Sequence, residues 1–179
     1  MSAHSLETAA APRGGADRTS PRFATLRDVS LFVALLATSI ALGAALAHLL
    51  ELPNKMDLPR GQYFVVQQIY RGWAMLGVVL VVQLASVAAL VATTRDEPAT
   101  RRLAAVGLVA LAAAQAVFWT FTQPANAATE NWTMKPEAWT MLRDRWEYSH
   151  AAGALCQLVA MAALSWAAAF RRTPERMRP

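Results

Sequence analysis

The chain has 179 residues and a net charge of +5, with 55% hydrophobic and only 16% charged residues, where a soluble domain carries about 25% charged residues. Its apolar residues are gathered into long runs instead of amphipathic stripes, which excludes a water-soluble globule and points to helices that face lipid. The basic excess lies in short segments beside those runs, where it sets topology, so nucleic acid is not an expected partner. The single cysteine, Cys156, rules out an internal disulfide, a CxxC redox pair and a thiolate metal cage.

Residues 1–25 are rich in Ala, Pro, Gly, Ser and Arg and lack apolar periodicity, the pattern of a disordered tail. The domain proper is expected over 26–172. Its first span is Val29 to Leu50, closed by Glu51, Pro53 and Asn54. Ala45-Leu46-Ala47 has the form of a signal-peptidase site, but the run before it is long enough to stay as a helix. The second span is Trp73 to Thr93, with a helical approach from residue 62 that contains no Gly or Pro between Tyr63 and Arg71. The third is Leu103 to Phe121, which Pro124 helps to close. The fourth is Ala151 to Phe170, with a helical extension from residue 137, and 173–179 form a second tail. Runs of about 19 to 22 residues suffice to cross a hydrocarbon core of about 30 Å. The expected fold is an all-α integral membrane four-helix bundle.

Eleven of the 17 basic residues lie in the two tails and in the loop between the second and third spans. That places both termini in the cytoplasm. Trp73, Trp119, Trp132, Trp139 and Trp146 then fall on the outer side and Trp166 on the inner, read as an interfacial belt, with substrate stacking as the alternative.

Polar residues inside a membrane are costly and mark sites. The first span runs outward into His48-x-x-Glu51, and the fourth runs inward from Glu147-x-x-His150. Residues three apart share a helical face, so two antiparallel neighbours bring His48 level with His150 and Glu51 level with Glu147. Carboxylate plus imidazole suits Fe, Cu, Mn or Zn, and a metal site on these four is one reading. A metal-free polar or proton-handling site is the second, and interfacial decoration the third. A haem between His48 and His150 fits less well, with two carboxylates beside the axial ligands. Gln67 and Arg71 stand one helical turn apart, so Arg71 is a candidate counter-ion for Glu51 or Glu147, or a holder of a phenolate oxygen. Tyr63, Tyr70, Trp119, Asn126 and Trp146 lie at the same level and are candidates to line a substrate pocket. Gln83 and Gln115 lie deeper, as expected of interhelical hydrogen bonds.

His48 with Pro53, then Pro124-x-Asn126, then Trp139, Arg143, Trp146 and His150 resemble the anthrone-oxygenase-like family of small four-helix membrane proteins, over roughly residues 30 to 170. The resemblance implies oxidation of polycyclic phenolic substrates by molecular oxygen without a dedicated cofactor. His48 or His150 would then be the base, oriented by Glu51 or Glu147, with Arg71 or Gln67 holding the oxyanion. The function expected is a membrane oxidoreductase acting on a lipophilic aromatic or quinone-like molecule, in a bacterial inner membrane by its Ala- and Arg-rich composition. The alternative is a non-enzymatic accessory subunit or scaffold that meets a second copy or a larger complex through small-residue pairs such as Ala85 with Ala89.

Overall fold

A computed structural model describes the backbone of residues 21–170. Of the tail readings, 1–20 and 173–179 lie outside the described residues, whereas 21–25, read as part of the first tail, belong to the first helix. No strand occurs among those described. The helices are α1 (Pro21–Met56), α2 (Arg60–Val66), α3 (Leu76–Thr93), α4 (Pro98–Val117), α5 (Gln123–Ala128) and α6 (Trp139–Phe170). Four stretches are long and apolar enough to cross a membrane: Thr25–Met56, Trp73–Thr93, Pro98–Ala128 and Trp139–Ala169.

The four long helices form a closed square, with α1 packed on α3 and α6, and α4 on α3 and α6. The first and last spans are therefore neighbours, the condition under which their His and Glu pairs can meet. Small residues hold the helices close: Ala34, Ala104 and Ala160 are wholly buried in one cluster with Leu164, Leu90 and Val87. In lipid, where burial of apolar area gives no drive between helices, such close backbone contact supplies the packing energy. Phe32, Val78, Val109 and Leu155 face outward, more than half exposed, as lipid-facing residues do. Midway along the bundle Gln83 donates to Gln157 at 2.7 Å and to Thr38 at 3.0 Å, tying α3 to α6 and α1.

Three features depart from the sequence reading. Pro53 does not end α1, which continues as a helix to Met56. Pro124 does not close the third span either. A π-turn over Phe118–Thr122 precedes it, and the chain runs on as α5 with Pro124 in its first turn. Proline has no N–H to give the carbonyl four residues back, and a widened turn absorbs that missing bond without breaking the helix. The approach to the second span is the third difference. α2 passes into a tight 3-10 turn over Gln67–Tyr70, and the chain unwinds at Arg71 and Gly72, whose φ of 91° belongs to the left-handed region. Glycine alone takes that conformation without a Cβ penalty.

A cap of aromatic side chains closes the end of the bundle where α1 finishes and α6 begins. Tyr63, Phe64, Trp132, Leu142 and Trp146 pack with Ala125 into a second cluster. The loop supplying Trp132 is unusual, because Glu130, Asn131 and Trp132 all have positive φ, at 48°, 55° and 64°. Left-handed non-glycine residues persist only where surrounding contacts impose them. Here the Trp132 amide donates to the Thr129 hydroxyl, and its indole donates to Asn126 Oδ1 at 3.2 Å. The Trp146 indole donates to the same oxygen at 2.8 Å. Asn126→Ala should strip both indoles of their acceptor and lower stability by about 2–3 kcal/mol, measured by SDS-titration unfolding in mixed micelles. Trp132 and Trp146 are thus buried cap residues, only 4% exposed each, and not members of an interfacial belt.

Candidate functional site

α1 carries His48, Glu51 and Lys55 at positions i, i+3 and i+7, one face of a helix. α6 turns Trp146, Glu147 and His150 toward them. The two imidazoles meet with ring centroids 4.3 Å apart and planes tilted by 49°. Tyr70, Trp73 and Trp146 surround His48 with centroids at 4.6, 5.4 and 5.0 Å. The central geometric expectation, imidazoles from opposite ends of the chain side by side, describes the arrangement found.

The two carboxylates are engaged elsewhere. Glu147 is buried and pairs with Lys55 Nζ at 2.8 Å, and it accepts a hydrogen bond from the Tyr63 hydroxyl at 2.8 Å. Tyr63 in turn accepts from Gln67 Nε2. Lys55 also donates to the Tyr70 hydroxyl at 3.1 Å, and Tyr70 donates to Glu51. The result is one continuous chain: Gln67, Tyr63, Glu147, Lys55, Tyr70, Glu51. Among the described residues, no three His, Cys, Asp or Glu side chains are grouped so as to hold a metal ion. The four-residue metal set of the sequence reading is therefore corrected to an imidazole pair and a separate ion-paired network. An axial haem needs its two imidazoles on opposite sides of a porphyrin plane, and rings 4.3 Å apart leave no such space.

Arg71 is not the counter-ion. It is exposed and donates to Gln68 Oε1 at 3.0 Å, because the 3-10 turn and the unwinding at Arg71 destroy the helical face it was expected to share with Gln67. Lys55 takes the role instead. Sequence reasoning left it among the six basic residues outside the tails and the middle loop, although its four-residue spacing from Glu51 was a usable signal.

Burial, then the charge of Glu147, pushes the Tyr63 phenol far up from its ordinary value near 10. Burial, then its bond to Glu51, does the same to Tyr70. Both phenols stay protonated and act as donors. A raised tyrosine value means the folded state holds the proton more tightly, so this stabilisation is complete below pH 10 and falls away as pH rises above it. In a Tyr148→Phe variant, which leaves only these two tyrosines, phenolate absorbance should not develop near pH 10 and should appear only as the protein unfolds.

Beside the imidazoles lies a cavity of about 1150 Å³ between the helices. His48, His150, Gln67, Arg71, Tyr70, Trp119, Asn126 and Trp146 line it, as the sequence reading expected of a site, whereas Tyr63, Glu51 and Glu147 do not. Trp73, Gln68, Thr122 and Ser149 line it too and were not singled out as site residues. Gln115, expected to bond between helices, also faces the cavity. Four polar groups in the wall have defined characters. His150 Nδ1 lies 2.8 Å from the Trp146 carbonyl, which can only accept, so Nδ1 bears the hydrogen and Nε2 keeps the lone pair of a base. Gln67 Oε1 is a buried acceptor without a partner, and His48 Nδ1 is a buried nitrogen without one. Asn126, with its oxygen given to two indoles, has only its amide N–H groups to offer. Base, acceptor and donor around an aromatic-walled cavity suit an aromatic ring bearing oxygen. Comparison with protein families, curated proteins and solved structures returns no match to this chain.

Proposed function

We propose that this multi-pass membrane protein is an oxidoreductase that binds a lipophilic aromatic or quinone-like molecule in the cavity and oxidises it. The observation that carries the reading is the wall of that cavity, in which two imidazoles and unpartnered buried polar atoms stand among tryptophan and tyrosine rings. Pockets for small organic molecules combine an apolar, aromatic lining with a few directed polar groups.

In this reading the chain's own contribution is acid–base. His150 Nε2 takes the proton of a ring hydroxyl, Gln67 and Asn126 orient the oxygens, and the electron-rich anion passes its electrons to molecular oxygen, as the resemblance to anthrone-oxygenase-like proteins implies. The network of Lys55 and Glu147 holds the cap rigid above the site. The basic-residue distribution puts both termini inside, so the site opens in the outer leaflet, in a bacterial inner membrane by composition. Metal chemistry is left out of the reading because Glu51 and Glu147 already have partners.

The test is oxygen consumption by detergent-purified protein supplied with hydroxylated naphthalenes and anthrones, alongside elemental analysis. Turnover by metal-free protein is expected. Stoichiometric iron, copper or zinc that disappears in both His48→Ala and His150→Ala would replace this reading with a metal site. A second reading, an accessory subunit or scaffold, is favoured by one observation: Ala85, Ala88 and Ala92 are exposed along the outer face of α3, where a partner helix could approach closely. Co-purification of a stable partner with no turnover on any aromatic tried would favour it.

A further inference from the structure

The cavity is not sealed on all sides. α3 and α4 are held together in the inner half of the bundle, where Val87 and Leu90 share a packed cluster with Ala104 and Leu111. From Leu84 toward Leu76 on α3, and from Ala114 onward on α4, both helices contribute side chains to the cavity wall. From Leu84 to Leu76 this seam rises about 12 Å at 1.5 Å per residue.

The residues of the seam face two ways at once. Val81 and Trp119 line the cavity and are nevertheless 68% and 64% exposed, at a depth where the surroundings are apolar spans. Gly77 also lines it, and a Cβ built there would meet nothing within 4 Å. A polar head region around His48, His150, Gln67 and Asn126 is therefore joined to a slot walled by Leu80, Val81, Leu84 and Phe118, with Gln115 the one polar side chain from α4 proper.

We propose that the cavity opens sideways into the membrane between α3 and α4, and that its ligand is an amphiphile: an oxygen-bearing aromatic ring at the imidazoles with an apolar chain lying in the seam. The proposal rests on the reading of the cavity as a binding site and adds what that reading lacks, the route of access and the chain. A molecule without a chain would leave the slot to lipid. A chain-bearing molecule fills it and remains in contact with the bilayer from which it came.

The test uses the full-length protein in nanodiscs. The probe is a hydroquinone carrying a decyl chain with a photoreactive diazirine at its far end. Saturable quenching of tryptophan fluorescence reports ring binding, since Trp73, Trp119 and Trp146 line the cavity. After irradiation, labelled peptides are mapped by mass spectrometry, with unlabelled decylhydroquinone as competitor. Competed labelling within 76–84 and 114–119 is expected. Val81→Trp, at an exposed position that tolerates bulk, should weaken decylhydroquinone binding about tenfold by filling the slot and leave hydroquinone itself unaffected. Saturable quenching with the label on α1, α6 or the outer loops would overturn the seam while leaving the binding site standing. Absence of both saturable quenching and competed labelling would overturn the binding site, and the seam with it. Equal weakening of both compounds by Val81→Trp would show damage to the head region and count against the seam.

Discussion

Lys55→Met should lower the stability of the protein by about 3–5 kcal/mol, because it leaves the Glu147 carboxylate buried without its counter-ion. Both side chains are almost wholly inside, 4% and 0% exposed, and their atoms lie 2.8 Å apart. An exposed pair of the same geometry would contribute less than about 1 kcal/mol, so the magnitude itself reports whether the cap excludes water. Loss of Lys55 also takes a donor from Tyr70, which loosens the link to Glu51. The double variant Lys55→Met, Glu147→Gln removes both charges, keeps an oxygen for the Tyr63 hydroxyl, and should recover most of the loss. The measurement is SDS-titration unfolding of the three proteins in mixed micelles. A single-variant loss under about 1 kcal/mol would mean that the pair is solvated and that Lys55 snorkels out of the bundle.

Lys55 also shows where sequence reasoning runs out. The four spans were legible because hydropathy over about twenty residues is a strong signal that no tertiary contact needs to support. The meeting of His48 with His150 was legible because mirrored three-residue spacings on antiparallel neighbours fix a common level. The fate of the carboxylates was not. A lysine at the end of a span reads equally as a topology charge and as a buried partner, and only the aromatic cap, assembled from residues 63 to 146, decides between them. Trp132 and Trp146 were misplaced for the same reason: a tryptophan near an interface normally lies in it, and the acceptor that draws these two inward, Asn126 Oδ1, is remote in sequence from Trp146. Pro124 carried a stop signal that a π-turn neutralised, and the turn leaves no trace in composition. The proposed seam between α3 and α4 was invisible too, since it depends on which side chains line the cavity, and both helices belong to stretches that read simply as apolar spans.

His150→Ala should reduce turnover of a hydroxylated aromatic by about 10²–10⁴-fold, the range expected for removal of a general base. Structure supplies the reason for choosing this imidazole over its neighbour. The Trp146 carbonyl fixes the tautomer of His150, so a lone pair is held at Nε2 without any reorganisation, whereas His48 has no hydrogen bond at Nδ1 to fix its own. His48 is walled in by Tyr70, Trp73 and Trp146, so its removal should disturb ring binding more than chemistry and be felt in KM. A base acts in the step that breaks the O–H bond, so the loss in His150→Ala should fall on kcat. It should be partly restored by added imidazole, which fits the space left behind, and it should shrink as pH rises and the substrate hydroxyl ionises without help. A merely structural role for His150 would give neither imidazole rescue nor convergence of the two pH profiles, and undiminished turnover in the variant would remove this side chain from the mechanism.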